Sequence, residues 1–185
     1  SDQVWNLRLT EGIDSVYFLD IPTNAKKIAF SCSSENKDYP RFDEEKVKLE
    51  KMLSSFSYIS VRENSLAEYL HYHLHIDSVV TCDPTFLQKR EFYMRLLSNP
   101  LFENNSYVLV YNLVETEKSI VFAKQYAKQE NLKVIVIHAG FRSKFHGDID
   151  IYDAGPIELL NYINNAKVII TTSFHGLALS LIMNK

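Results

Sequence analysis

The sequence predicts an α/β protein built on parallel strands, and three observations carry that prediction. Short apolar, β-branched runs recur at 58–61, 78–81, 107–112, 132–140 and 168–170, the pattern of strands in a buried sheet. Between them lie stretches whose apolar residues fall three and four apart, at 43–52, 66–74, 117–129 and 157–164, as on one face of a helix. Several strand candidates also end in polar or charged residues. Open α/β sheets bind their ligands at that carboxyl edge.

Length and composition narrow the possibilities. A chain of 185 residues can bury a sizeable core as one domain or as two small ones. A formal charge of −3 gives none of the concentrated basic surface that a nucleic-acid partner demands. Cys32 and Cys82 stand far apart, match no zinc spacing and demand no disulfide, which favours a reducing compartment. No apolar run reaches membrane-span length, and no signal-peptide pattern is present. The chain starts at SDQVWN without methionine and stops directly after a helical pattern, so both ends read as cuts within a longer protein. There is no GxGxxG and no Walker pattern, no internal repeat and no metal-binding cluster.

In chain order, 1–6 reads as a polar turn carrying Trp5, with Ser1, Asp2 and Gln3 either at a cleft mouth or frayed. The segment 16–19 is aromatic and reads as extended. Residues 26–34 form a strand ending in small polar residues. Asp43 can cap the helix that follows it. The strand at 58–61 delivers Arg62 and Glu63, and Asn64 or Ser65 can cap the helix at 66–74. After the strand at 78–81, Asp83-Pro84 stops the ladder. Residues 88–105 read as a short helix and a linker. The alternation then restarts with the strand at 107–112, the helix at 117–129 and the strand at 132–140. An irregular polar stretch covers 141–151. Pro156 suits the first turn of the helix at 157–164. The strand at 168–170, a polar turn and a helix opening at Leu177 complete the pattern. The expected division is one α/β domain over 1–97, a linker over 98–105 and a second α/β domain over 106–185.

His175 is the strongest candidate for chemistry. It stands in a strand-to-helix turn, where Gly176 permits close backbone approach and the helix N-terminus favours an anion. A neutral imidazole there can bind phosphate or move a proton; packing or capping is the structural alternative. Arg62 ends a strand, and its guanidinium fork suits carboxylate or phosphate, or else an ion pair with a nearby acid. Asp83 can orient a substrate hydroxyl or cap a turn. His138 ends a central strand and can face a cleft. Arg142, with Lys144 and His146, lies in a loop that can face an anionic substrate or simply be solvated. His71, His73 and His75 alternate through a helix end, which spreads them around the axis and makes a poor ligand set.

Five stretches together resemble the polysaccharide pyruvyl transferase family: SDQVWN at 1–6, ISVRENS at 59–65, CDPTFL at 82–87, DAGPIELLNYINNAKVIITTSFHG at 153–176 and LALSLIMNK at 177–185. The resemblance implies two Rossmann-like parallel-sheet domains facing across a cleft, similar to B-type glycosyltransferases. It implies phosphoenolpyruvate as donor and a sugar of a surface polysaccharide, or its lipid-linked precursor, as acceptor, with a pyruvate ketal as product. His175 then matches a proposed acid, and Arg62 matches an arginine that grips the donor. Ser173, Gly176, Asp83, Arg142 and His138 become candidate substrate contacts. No cofactor and no metal is implied, and the expected setting is cytoplasmic, at the inner face of a membrane. One departure stands out. Relatives commonly carry arginine two places before the histidine, where this chain has Ser173, so either Arg142, Lys144 or a segment outside this sequence supplies the cation or the donor differs. Two alternatives stay open: a nucleotide-sugar glycosyltransferase of the same fold, and a non-catalytic glycan-binding relative.

Overall fold

The computed structural model describes residues 3–34, 39, 43–97, 105–114, 116–140 and 143–185. The chain divides into two compact units, Ser1–Pro84 and Thr85–Lys185. Each is an α/β unit with a parallel sheet flanked by helices.

In the N-terminal unit, β1 (Lys27–Cys32), β2 (Phe56–Val61) and β3 (Val79–Val80) form a sheet in the order β1-β2-β3. Helices α1 (Asp43–Leu53) and α2 (Asn64–Leu74) make the crossovers. Their apolar stripes, Leu49, Met52 and Leu53 with Leu66, Leu70 and Leu74, pack with Ile59 and Val61 into one core. Trp5 and Phe18 join that core, their rings stacked at 5.6 Å. Ile28, Phe30, Tyr58, Val79 and Val80 are exposed.

Two local expectations change here. Residues 16–19 form turns rather than extended chain, because Asp14 Oδ1 accepts from the Val16 amide at 2.9 Å and the Leu19 amide bonds back to Val16. The N-cap of α2 is Glu63, in extended conformation and without a side-chain cap bond, rather than Asn64 or Ser65.

The C-terminal unit holds β4 (Tyr107–Asn112), β5 (Lys133–His138), β6 (Ile149–Ile151) and β7 (Val168–Thr171) in the order β6-β5-β4-β7, all parallel. The helices are α3 (Arg90–Met94), α4 (Glu117–Glu130), α5 (Pro156–Asn165) and α6 (Phe174–Ile182). Side chains alternate across the sheet with the strand period of two. Tyr107, Leu109, Ile135 and Ile137 pack on one face with Leu160, Ile163 and Met183. Val108, Val110, Val134 and Val136 pack on the other with Ile120, Ala123 and Ala127 of α4. A sheet covered on both faces explains the continuous apolar runs of β4 and β5. The stretch expected to be irregular at 141–151 contains β6, too short for a sequence pattern to reveal.

The chain order through this sheet fixes a crevice. From β4 it runs outward to β5 and β6, then returns through α5 to place β7 on the other side of β4. The winding reverses between β4 and β7. In open α/β sheets, the carboxyl ends of strands at such a reversal form a ligand crevice.

Candidate functional site

The turn after β7 lies at that reversal. Thr171 Oγ1 donates to the Tyr111 carbonyl at 2.5 Å and accepts from the Ser173 amide at 3.0 Å. Thr172 donates its amide to Asn112 Oδ1 at 2.9 Å, while Asn112 Nδ2 donates to Ser119 Oγ at 2.7 Å. A buried asparagine thus bridges the β7–α6 turn to the start of α4. Thr116 caps α4 by accepting from the Ser119 amide. Two helix N-termini therefore open beside the same pair of strand ends, and each favours an anion.

Ser173 is the N-cap of α6, and its Oγ accepts from the Gly176 amide at 3.1 Å. It is buried. Gly176 has a packing reason beyond backbone freedom. A Cβ there would stand 2.5 Å from Thr171 Oγ1 and 2.9 Å from Tyr111 Cδ1. The glycine lets the first turn of α6 seat directly on β4 and β7. His175 is partly exposed at this helix start, with the Phe174 ring set edge-on at 5.2 Å.

In the N-terminal unit, Arg62 and Asp83 meet. Arg62 Nη1 donates to Asp83 Oδ2 at 2.9 Å, with side-chain exposures of 12% and 2%. Beside them, Ser33 donates a short hydrogen bond to Glu63 Oε1, and Ser34 Oγ donates to Tyr39 Oη at 2.9 Å. Glu63 Oε2 is buried with no hydrogen-bond partner among the described residues. Ser31 ties the three strand ends together. It sits at φ 52°, donates its amide to Ser60 Oγ at 2.9 Å and its hydroxyl to the Cys82 carbonyl at 2.6 Å. A serine held in the left-handed region of φ marks a position whose surroundings impose its conformation.

His138 ends β5, between β6 and β4 in the C-terminal sheet. Its side chain is wholly buried, stacked on Tyr152 at 4.5 Å, with Nε2 2.7 Å from Asp150 Oδ1. His146 Nδ1 lies 3.1 Å from Asp150 Oδ2, and the Gly147 amide donates to Asp150 Oδ1 at 3.1 Å. Burial works against the charged form of Asp150. Hydrogen bonds from His138, the Gly147 amide and His146 outweigh it and hold the carboxyl below its ordinary range.

This corner corrects the expectation of no metal-binding cluster and no cofactor. His138, His146 and Asp150 present three ligand atoms within 4.8 Å of one another, a set able to hold a metal ion. The sequence hid it because β6 was unseen, and only the register Val136↔Asp150 carries that carboxylate to the end of β5. Arg142 lies outside the described residues. The structure therefore brings Arg62 to Asp83 in one unit and Ser173 and Gly176 to His175 in the other.

Fold and strand-end chemistry together define an α/β protein with polar crevices at the carboxyl edges of its sheets. The family is fixed by the match of residues 8–185 to the family model described as polysaccharide pyruvyl transferase, and the chain belongs to that family. Membership over nearly the whole chain supports an enzyme whose general reaction is phosphoenolpyruvate-dependent pyruvylation of a sugar. No curated protein and no solved structure matches the chain. Among the described residues, no helix is long and apolar enough to cross a membrane.

Proposed function

We propose that this chain forms two Rossmann-like domains of the B-type glycosyltransferase kind, working across a cleft, and that the turn at Ser173–Gly176 is its catalytic centre. The donor is phosphoenolpyruvate, and the acceptor is a surface glycan or its lipid-linked precursor. The acceptor presents two hydroxyls, and the work is done in the cytoplasm at the membrane's inner face. His175 is the acid that protonates the methylene carbon of the enol. C2 becomes electrophilic, a sugar hydroxyl adds to it and loses its proton, phosphate leaves, and a second hydroxyl closes the ketal. Arg62, held by Asp83, grips the donor carboxylate or phosphate. The Ser173 hydroxyl hydrogen, which the cap bond does not use, supplements the helix field where relatives place an arginine. Lys144 and Arg142 supply further positive charge.

The observation that carries this reading is the start of α6 at the β4–β7 reversal, with a partly exposed histidine on its first turn. A positioned general acid contributes about 10²–10⁴-fold to rate. Replacing His175 with alanine is expected to cut acceptor-dependent phosphate release from phosphoenolpyruvate by that order while leaving the fold intact. Unaltered turnover in that variant removes His175 from the role.

A further inference from the structure

The cluster at the β5–β6 edge has no part in the reaction above, and its chemistry points to an ion. We propose that His138 Nε2, His146 Nδ1 and an oxygen of Asp150 bind one divalent transition-metal ion of the zinc class, which clips the β5–β6 connection to the sheet.

The donor set argues for the class of ion. Two imidazoles and one carboxylate suit zinc, cobalt or nickel. Calcium and magnesium take oxygen ligands almost throughout. Spacing agrees. A tetrahedral zinc with Zn–N bonds of about 2.0–2.1 Å separates its donors by roughly 3.3 Å. His138 Nε2 lies 2.7 Å from Asp150 Oδ1 and His146 Nδ1 lies 3.1 Å from Oδ2, and one ligand atom from each residue falls within 4.8 Å of the others. The carboxylate contacts lengthen by a few tenths of an ångström, and the two imidazoles close to the same spacing, as the ion replaces the shared protons.

The surroundings already fix the donors. Tyr152 lies nearly parallel to the His138 ring, at 12°, and sets its plane. The Gly147 amide bonds to Asp150 Oδ1 and fixes the plane of the carboxylate. Such outer partners orient ligands and raise their affinity. Gly147 is itself dictated by the fold, since a Cβ there would fall 2.6 Å from the Val134 carbonyl oxygen. His138 is wholly buried while His146 is 54% exposed, so the ion has an entry path and room for a water ligand. A structural reason also exists. β5 and β6 are parallel neighbours, a pairing normally bridged by a crossover helix. None forms among the described residues of the connection 139–148. Asp148 fastens it to Val134 through its amide and its carboxylate, and the ion adds a second fastening.

The test uses the whole chain, stripped with a chelator and dialysed. Zinc is titrated by calorimetry and Co²⁺ by its visible absorption, with melting temperature followed in parallel. One equivalent is expected to bind, with a tetrahedral-type Co²⁺ spectrum and a raised melting temperature. His146→Ala, at a half-exposed position, and Asp150→Asn are expected to weaken binding by about tenfold or more, as loss of even outer partners does. His73→Ala, on α2, is expected to bind as the parent does. Absence of both the Co²⁺ spectrum and the zinc-dependent stabilisation overturns the proposal. So does a titration that His146→Ala and Asp150→Asn leave unchanged. Neither result bears on transfer of pyruvate, which is measured separately.

Discussion

Arg62 reaches Asp83 at 2.9 Å, joining the residue after β2 to the loop after β3 through a nearly buried ion pair. The pair holds the guanidinium in place, and it makes the arginine costly to remove. Breaking a buried pair by removing one partner costs about 3–5 kcal/mol, whereas an apolar pair of similar volume is often tolerated. Arg62→Ala is therefore expected to lower unfolding free energy by about 3–5 kcal/mol in urea, and Arg62→Met with Asp83→Leu to recover most of it. If Arg62 also grips the donor, the double variant stays folded but binds phosphoenolpyruvate poorly. Recovery of donor affinity together with stability would assign the arginine to structure alone.

The cap of α6 separates structure from chemistry in another way. Alanine at an N-cap costs about 0.5–2 kcal/mol, and glycine only a few tenths. Ser173→Gly is thus expected to melt near the parent temperature while Ser173→Ala melts lower. If the hydroxyl serves the donor, both variants raise the KM for phosphoenolpyruvate, and the glycine variant does so with its stability nearly intact.

Gly176→Ala tests the seating of α6 on the sheet. The added methyl meets Thr171 Oγ1 at 2.5 Å and Tyr111 Cδ1 at 2.9 Å, both on strands fixed in the core. Overpacking of this kind costs about 1–3 kcal/mol. A drop in melting temperature and a loss of activity are expected together, because the helix that carries His175 must move.

Alkaline stability reports on Tyr69. Burial, helped by Glu45 and Tyr39, pushes its hydroxyl up to about 12. Its ordinary value is about 10. A folded-state value raised in this way favours the protonated form. The contribution is complete below pH about 10 and is lost as pH rises toward 12. Melting temperature measured across that window is expected to fall less steeply in Tyr69→Phe than in the parent. Equal slopes would show that the tyrosine titrates alike in both states.

Much of this fold was legible because its physics is local. Val108, Val110, Val134 and Val136 are β-branched and buried, so strand and core speak through the same residues. His175 was legible because strand, polar turn and helix follow one another within a few residues. What stayed hidden depends on partners brought from afar. Asp150 joins His138 only through the register of a three-residue strand. Asn112 reaches Thr172 across 60 positions of sequence. Asp14 turned the expected extended chain at 16–19 into turns through a two-residue hydrogen bond that outweighed its aromatic character.

The central claim is that phosphoenolpyruvate gains a proton at its methylene carbon and leaves its three-carbon unit as a ketal on a sugar. The most direct test is proton NMR of the reaction in D₂O, with phosphoenolpyruvate and a panel of hexosides bearing paired free hydroxyls. Predicted is a ketal methyl carrying one deuterium, formed in step with inorganic phosphate and lost in His175→Ala. Turnover of a nucleotide sugar by the same protein, with phosphoenolpyruvate left intact alongside every acceptor, would contradict it.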